Sequence, residues 1–430
     1  MEAYGLSRRG AANVEAIWPR ISTAATERER ATEDSYIDVS TSENWLIREE
    51  LIELYKKAVD DNLSGRHLSY PNGFAGDTEL LDALAQFFNS YFKPYIHVLP
   101  GQLATAPGAA FSLDALLYNI CEKLQSNLAD LHSAGGFDWL LNVKAGVQPV
   151  FVTVETFDDV LTSKLIPALE NTLTSSPYPI KGLLFTNPHN PFGQCYPSAV
   201  IMEVIKFCNA KGIHFISDEI YALSKFECPD VPEPVPFTSA LQLDIEGMGC
   251  NLSRVHTIWS LSKDLGSSGL RMGCCVTQGN RPLVTGLALV SNTQMSSLTA
   301  IAATSLLRST QLPSLLVLNS ERLAQSYERL TSVLRERGVS YIPSNMGPFV
   351  FARISPTAQS WAEEVEAMRV FKTAGVVISA GRGYHVVDGE KGWARINFAM
   401  PPKILTKALK RLIIGFDGLS MNREAESTQK

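Results

Sequence analysis

The stretch that most constrains this chain runs from Thr257 to Cys275, TIWSLSKDLGSSGLRMGCC. Two apolar runs of strand composition, TIWS and MGCC, bracket a loop built from Ser, Gly, Lys and Arg. That is the pattern of a buried strand that ends, turns at a sheet edge and re-enters the sheet. The pattern has company upstream. KGLLFT runs into the breaker-rich turn Asn187-Pro188-His189-Asn190-Pro191, a helix is expected from Ser198 to Lys211, and GIHFIS stops being apolar at Ser217. Strands and helices alternating at this spacing predict an α/β fold, a mostly parallel sheet with helices on both faces. In such sheets ligands sit at the carboxyl ends of the strands, and the side chains placed there are Asn190, Asp218, Tyr221 and Lys263.

Those side chains suit one kind of chemistry. Lys263 presents an amine able to form a Schiff base with a phosphorylated aldehyde cofactor, while Ser260, Ser262 and Arg271 offer hydroxyls and a fork-shaped cation to one phosphate. A pyridine nitrogen that accepts electrons must stay protonated, and a buried carboxylate beside it supplies that bias, so Asp218 is the candidate. Asn190 and Tyr221 are suitable donors to the ring oxygen. Gly108-Ala109-Ala110 leads straight into an expected helix, whose first N–H groups and dipole favour a phosphate. Lys263, once released by substrate, would carry the proton at Cα, a role that asks its surroundings to lower its pKa. Each residue alone has an ordinary reading, a surface loop for Lys263 or helix-start chemistry for Glu43 and Asn44. Their joint order along the chain, each at a strand end, favours the chemical reading.

The rest of the chain divides around this core. Residues 1–40 read as an N-terminal arm, 41–64 and 320–416 as a smaller α+β domain, 65–319 as the large domain and 417–430 as a flexible polar tail. Ser42 reads as the N-cap of a helix carrying Leu46, Leu51, Leu54 and Tyr55. One stretch breaks the alternation: residues 125–136, QSNLADLHSAGG, have no β-branched run and no aromatic, so a strand is not expected there. At 430 residues the chain is long enough for two cores. A net charge of −6 gives no electrostatic reason to bind nucleic acid or an anionic membrane. The seven cysteines show no metal-ligand spacing, so no metal is expected, and their odd number with an N terminus lacking an apolar core points to a reducing, cytoplasmic setting.

The blocks NPHNPFG, SDEIY, SLSKDLGSSGLRMG and WARINFA resemble the signature segments of the class I/II aminotransferases, the fold-type I enzymes that use pyridoxal 5′-phosphate, over about residues 35–415. SENWL and HLSYPNG are most similar to the 1-aminocyclopropane-1-carboxylate synthase-like branch, and HLSYPNGFAGD looks like fungal members tied to secondary metabolism. The resemblance implies that Lys263 is the Schiff-base lysine, Asp218 the pyridinium partner, and Asn190 and Tyr221 the contacts of the ring oxygen. It implies a phosphate site from Ala109, Ala110, Ser260, Ser262 and Arg271, and an Arg395 that grips the α-carboxylate of an amino-acid-like substrate. It further implies that Glu43 faces substrate, and that Tyr70 reaches the phosphate of a neighbouring subunit in a homodimer with shared sites. One departure stands out: Ser133 and Ala134 occupy positions where family members carry a ring that stacks on the cofactor, with His132 as the substitute. An aminotransferase is the leading reading. A carbon–sulfur β-lyase, a cyclopropane-forming synthase and a catalytically impaired relative are the alternatives.

Overall fold

The computed structural model describes residues 36–122, 127–131, 141, 146–291, 295–385, 387 and 389–428, with 5–8, 10–15 and 18 near the N terminus. In chain order, β1 (Ile37–Asp38) and α1 (Arg48–Asn62) precede α2 (Thr78–Phe87), β2 (Leu103–Ala106), α3 (Ala109–Ile120), β3 (Asn127–Leu131) and β4 (Gln148–Phe151). Then come α4 (Leu165–Ser175), β5 (Ile180–Thr186), α5 (Ser198–Lys211), β6 (His214–Asp218), β7 (Val255–Ser260), the single turn α6 (Leu261–Asp264) and β8 (Gly273–Val276). Three helices follow, α7 (Arg281–Ser291), α8 (Ser297–Leu307) and α9 (Leu312–Glu336). The chain closes with β9 (Tyr341–Ile342), β10 (Phe349–Arg353), α10 (Trp361–Thr373), β11 (Val376–Val377), β12 (Ser379–Ala380), β13 (Trp393–Asn397) and α11 (Pro402–Thr428).

Seven strands form the main sheet in the order β2-β8-β7-β6-β5-β3-β4. Only β8 runs against its neighbours, so the sheet is mostly parallel, as the strand-helix alternation predicted. Its central strands are apolar on both faces because helices cover both: all six residues of β7 are buried, as are six of the seven in β5. Trp259 on β7 packs its ring 4.5 Å from Phe87 and 5.9 Å from Phe88 at the end of α2, which fixes one helical layer on the sheet. Thr186 pairs with Asp218, and Asp218 with Ile258. The carboxyl ends of β5, β6 and β7 are therefore level, and the segments that leave them start from one edge.

The smaller unit is a four-stranded antiparallel sheet, β12-β13-β10-β9, covered by α9, α10 and α11 around Leu330, Val350, Phe371, Ile396 and Leu412. β1 pairs in parallel with β11, so the end of the expected arm is part of this unit.

The structure corrects several sequence expectations. Asn127–Leu131 is a strand after all, inserted between β5 and β4 with parallel pairing on both sides. A strand with two ladder partners does not need β-branched residues of its own, since its neighbours supply the backbone bonds. Residues 41–64 do not stay with the smaller unit: Leu46 joins its core, whereas Ile47 and Leu51 pack with Leu80, Leu84, Ala303 and Leu306 of the large one. The expected tail is helical as far as Thr428. His132, Ser133 and Ala134 lie outside the described residues. No single helix among the described residues is long and apolar enough to cross a membrane.

Candidate active site

A cavity of about 330 Å³ opens at the level edge of the main sheet. Lys263 enters it from α6, which starts where β7 ends: the Ser260 hydroxyl accepts from the Ser262 amide at 3.4 Å and caps that turn. Its Nζ donates to the Ser42 carbonyl at 2.5 Å. Burial and the nearby Arg395 guanidinium push the amine down to about 8, against the opposing pull of Glu43 and Asp218. Asp218, at the end of β6, is 4% exposed and lines the same space, as do Asn190 and Tyr221. Burial raises the Tyr221 phenol to about 12, so it stays protonated and able to donate.

Arg395 comes from β13 of the smaller unit and is also buried. One guanidinium nitrogen donates to Asn190 Oδ1 and another to the Ser40 carbonyl, both at 2.8 Å. The rings of Phe349 and Tyr384 lie 4.9 and 5.0 Å from its central carbon. The fork is thus held rigid before any ligand arrives.

The opposite end of the cavity is shaped for an anion. Gly108 sits at φ +95° as the residue before α3, and a Cβ there would lie 2.5 Å from the Arg271 guanidinium. A Cβ on Gly273 would lie 2.5 Å from the Ala109 amide nitrogen. Glycine at both places lets the start of α3, Arg271 and β8 press together, leaving the first amides of α3 at the cavity beside Ser260, Ser262 and Arg271. Arg271 is held by the carbonyls of Ser268 and Pro107 at 2.8 and 3.0 Å. Thr186 Oγ1 and Arg395 Nε are buried in cavity-lining residues and have no hydrogen-bond partner among the described residues, so a polar occupant would satisfy them. Anion cradle, buried carboxylate, two side chains for a ring oxygen and a neutral-prone lysine together fit pyridoxal 5′-phosphate.

Two residues named from the sequence lie elsewhere. Tyr70 is 82% exposed and outside this cavity. Glu43 is turned away from it: its carboxylate accepts from Trp45 Nε1 at 2.8 Å, from Arg48 at 3.1 Å and from the Ser268 hydroxyl. Burial opposes ionisation, but those donors hold the acid below its ordinary range. Glu43 therefore steadies Ser268, which does line the cavity, rather than facing it.

Ser42 is the residue that sequence reasoning missed. It does not cap α1, whose N-cap position is Ile47 with no side-chain bond. It lines the cavity instead, with its hydroxyl 3.0 Å from Tyr221 Oη and its carbonyl on Lys263. No local signal marks it, since both partners are about 200 residues away along the chain.

Comparison with known proteins agrees with this geometry. The profile of the family described as Aminotransferase class I and II matches residues 36–412. The chain is 53% identical over 95% of its length to "Probable aminotransferase aclI" of Aspergillus oryzae, covering 97% of that protein. It is 37% identical over 89% of its length to "Probable aminotransferase gliI" of Aspergillus fumigatus, covering 90% of it. At 32% identity over 81% of this chain and 72% of the relative, it also matches 1-aminocyclopropane-1-carboxylate synthase 1 of Oryza sativa subsp. indica. Among solved structures, an aromatic aminotransferase from Pyrococcus horikoshii OT3 superposes with a TM-score of 0.74 at 19% identity, over 93% of this chain and 99% of that one.

Proposed function

This chain belongs to the class I and II aminotransferases, and from that premise we propose that it moves the α-amino group of an amino-acid-like substrate, with the residues of the Lys263 cavity in the following roles. Pyridoxal 5′-phosphate, the cofactor of the family, supplies a cationic ring that draws electrons from the substrate carbon. Asp218 keeps the ring nitrogen protonated, and Asn190 and Tyr221 hold the ring oxygen. The amides of Ala109 and Ala110 with Ser260, Ser262 and Arg271 hold the phosphate. Arg395 takes the substrate α-carboxylate, exchanging the neutral Ser40 carbonyl for a charged acceptor. Lys263 takes and returns the proton at Cα. The depressed pKa of its amine supports that work, because a base poised near the working pH is neutral often enough to accept a proton.

The observation that carries this reading is the meeting of Lys263, Asp218, Asn190, Tyr221 and Arg395 in one cavity, although they come from four separate segments. Fungal secondary metabolism is the setting supported by the likeness to the Aspergillus proteins. A homodimer is supported by the outward apolar surface at Leu68 (85% exposed), Tyr70, Phe74 and Leu298, around two segments that together line a small surface cavity. A second copy covering it would bring Tyr70 to a neighbouring phosphate site. The six buried thiols support a reducing, cytoplasmic compartment.

Incubating the cofactor-loaded protein with single amino acids and a keto-acid acceptor tests the reaction. Stoichiometric exchange of amino group for keto group is expected. Release of ammonia with pyruvate or a thiol, without exchange, would replace amino transfer by elimination.

A further inference from the structure

A second cavity of about 240 Å³ lies beside the first, and the proposed reaction makes no use of it. Three large aromatic side chains line part of it: Phe157 comes from the large unit, Phe351 and Trp361 from the smaller one. They are held by ring contacts, Phe351 stacked on Trp393 at 5.2 Å and Phe157 edge-on to Trp393 at 4.9 Å. At the rim stand Arg382, His385 and Glu390.

Glu390 is engaged, accepting from Trp393 Nε1 at 3.1 Å with Arg353 at 3.8 Å. The backbone beside Arg382 is pinned, because the amides of Arg382 and Gly392 each donate at 2.8 Å to the buried Glu364 carboxylate. The Arg382 guanidinium itself makes no hydrogen bond or ion pair among the described residues, and it acts on the Glu364 carboxylate only through space. Aromatic side chains beside a guanidinium whose hydrogen-bonding fork is open suit a flat group that carries an anion.

Only one layer of side chains separates this cavity from Arg395. The Tyr384 ring is 5.0 Å from the Arg395 guanidinium carbon and 5.9 Å from the Phe351 ring, its hydroxyl fixed on Ser379 at 2.8 Å. Phe351 and Arg395 are paired directly across β10 and β13.

We propose that this second cavity binds an aromatic carboxylate, in a site distinct from the Lys263 cavity and separated from it by Tyr384 and Phe351. The ligand's ring stacks among Phe157, Phe351 and Trp361, and its carboxylate pairs with Arg382. The site goes beyond the amino-transfer reading and does not depend on it, since binding there needs neither Lys263 nor turnover.

The test is calorimetric titration of the full chain, loaded with pyridoxal phosphate, with 2-naphthoate and with the neutral 2-naphthamide. Saturable naphthoate binding is expected, weakened about threefold to fivefold in Arg382→Gln and for the amide, as loss of an exposed charge pair implies. Trp361→Ala should weaken both ligands. Because an aryl carboxylate has a second destination at Arg395, the titration is repeated with Arg395→Gln, whose fold is checked by circular dichroism, and binding should survive. No saturable binding to the wild type overturns the proposal. So does binding that Arg395→Gln removes, or binding that is indifferent to Arg382→Gln.

Discussion

The depressed pKa of Lys263 makes the strongest quantitative demand on this site. An amine at about 8 rather than 10.5 is neutral in roughly a fifth of molecules at pH 7.4, against about one in a thousand for a free lysine, a gain of order two-hundredfold. Burial is the larger cause and the Arg395 cation the second, so removing that cation should return part of the shift. The perturbation is Arg395→Gln, and the assay is the second-order rate at which protein stripped of cofactor captures added pyridoxal phosphate, followed from pH 6 to 10. Nα-acetyl-lysine in solution corrects for the cofactor's own titration. In the wild type the corrected rate should rise through an inflection near 8 and level off above about 9. In Arg395→Gln the inflection should move up by about one unit, which lowers the rate at pH 7 roughly tenfold and leaves the high-pH plateau in place. A wild-type rate that climbs without inflection to pH 10 would refute the account, as would an inflection that ignores the substitution.

Three further outcomes follow from the same contacts. Ser42→Ala removes the hydroxyl beside buried Tyr221 and should cost about 1–3 kcal/mol of stability, read by urea melts. The capture inflection of Lys263 should stay near 8, because the Ser42 carbonyl and not its hydroxyl holds the amine. Gly108→Ala forces a side chain into φ +95° and against Arg271; a strain of about 1–3 kcal/mol should show as weaker retention of pyridoxal phosphate on dialysis, and its added effect should be smaller when measured on the Arg271→Ala background, which already lacks a phosphate donor. His214 and His256 are hydrogen-bonded at 2.8 Å, and burial lowers them to about 4 and about 3. Both folded values lie below the unfolded 6.5, so the stability of the neutral pair is fully present above about pH 6.5 and is lost as pH falls toward 4 and then 3. The unfolding free energy read from urea curves should fall by about 2 kcal/mol at pH 5 from buried His256, with a smaller contribution from the partly exposed His214, and His214→Gln should flatten the fall.

Much of the site was legible because strand ends are local events. Asn190, Asp218 and Lys263 each close an apolar run, and the register that levels β5, β6 and β7 turns three such endings into one edge. What stayed hidden was decided by partners far along the chain. Asn127–Leu131 lacks intrinsic strand character, and its state follows from β4 and β5 on either side. Ser42 looked like a helix cap because a serine before an amphipathic run is one by default, but its bonds reach 179 and 221 residues ahead. Glu43 was read through family resemblance, and Trp45, Arg48 and Ser268 claim its carboxylate instead.

The segment Ser40–Glu43 explains how two separately packed units can share one site. Each of its four carbonyls accepts from a side chain of the site or of the strand that carries it: Ser40 from Arg395, Thr41 and Glu43 from Asn397, and Ser42 from Lys263. Three of those bonds come from β13 of the smaller unit and one from α6 of the large one. The strap is thus a bridge of neutral acceptors that sets the spacing between Arg395 and Lys263 before substrate binds. An arriving α-carboxylate offers Arg395 a charged acceptor, and such bonds are about twice as strong as neutral ones, so it can displace the Ser40 carbonyl from the guanidinium. The two Asn397 bonds come from the same strand, do not involve Arg395 and stay in place when it lets go. Substrate can therefore take the guanidinium while the strap, and with it the place of Lys263, stays where the smaller unit put it.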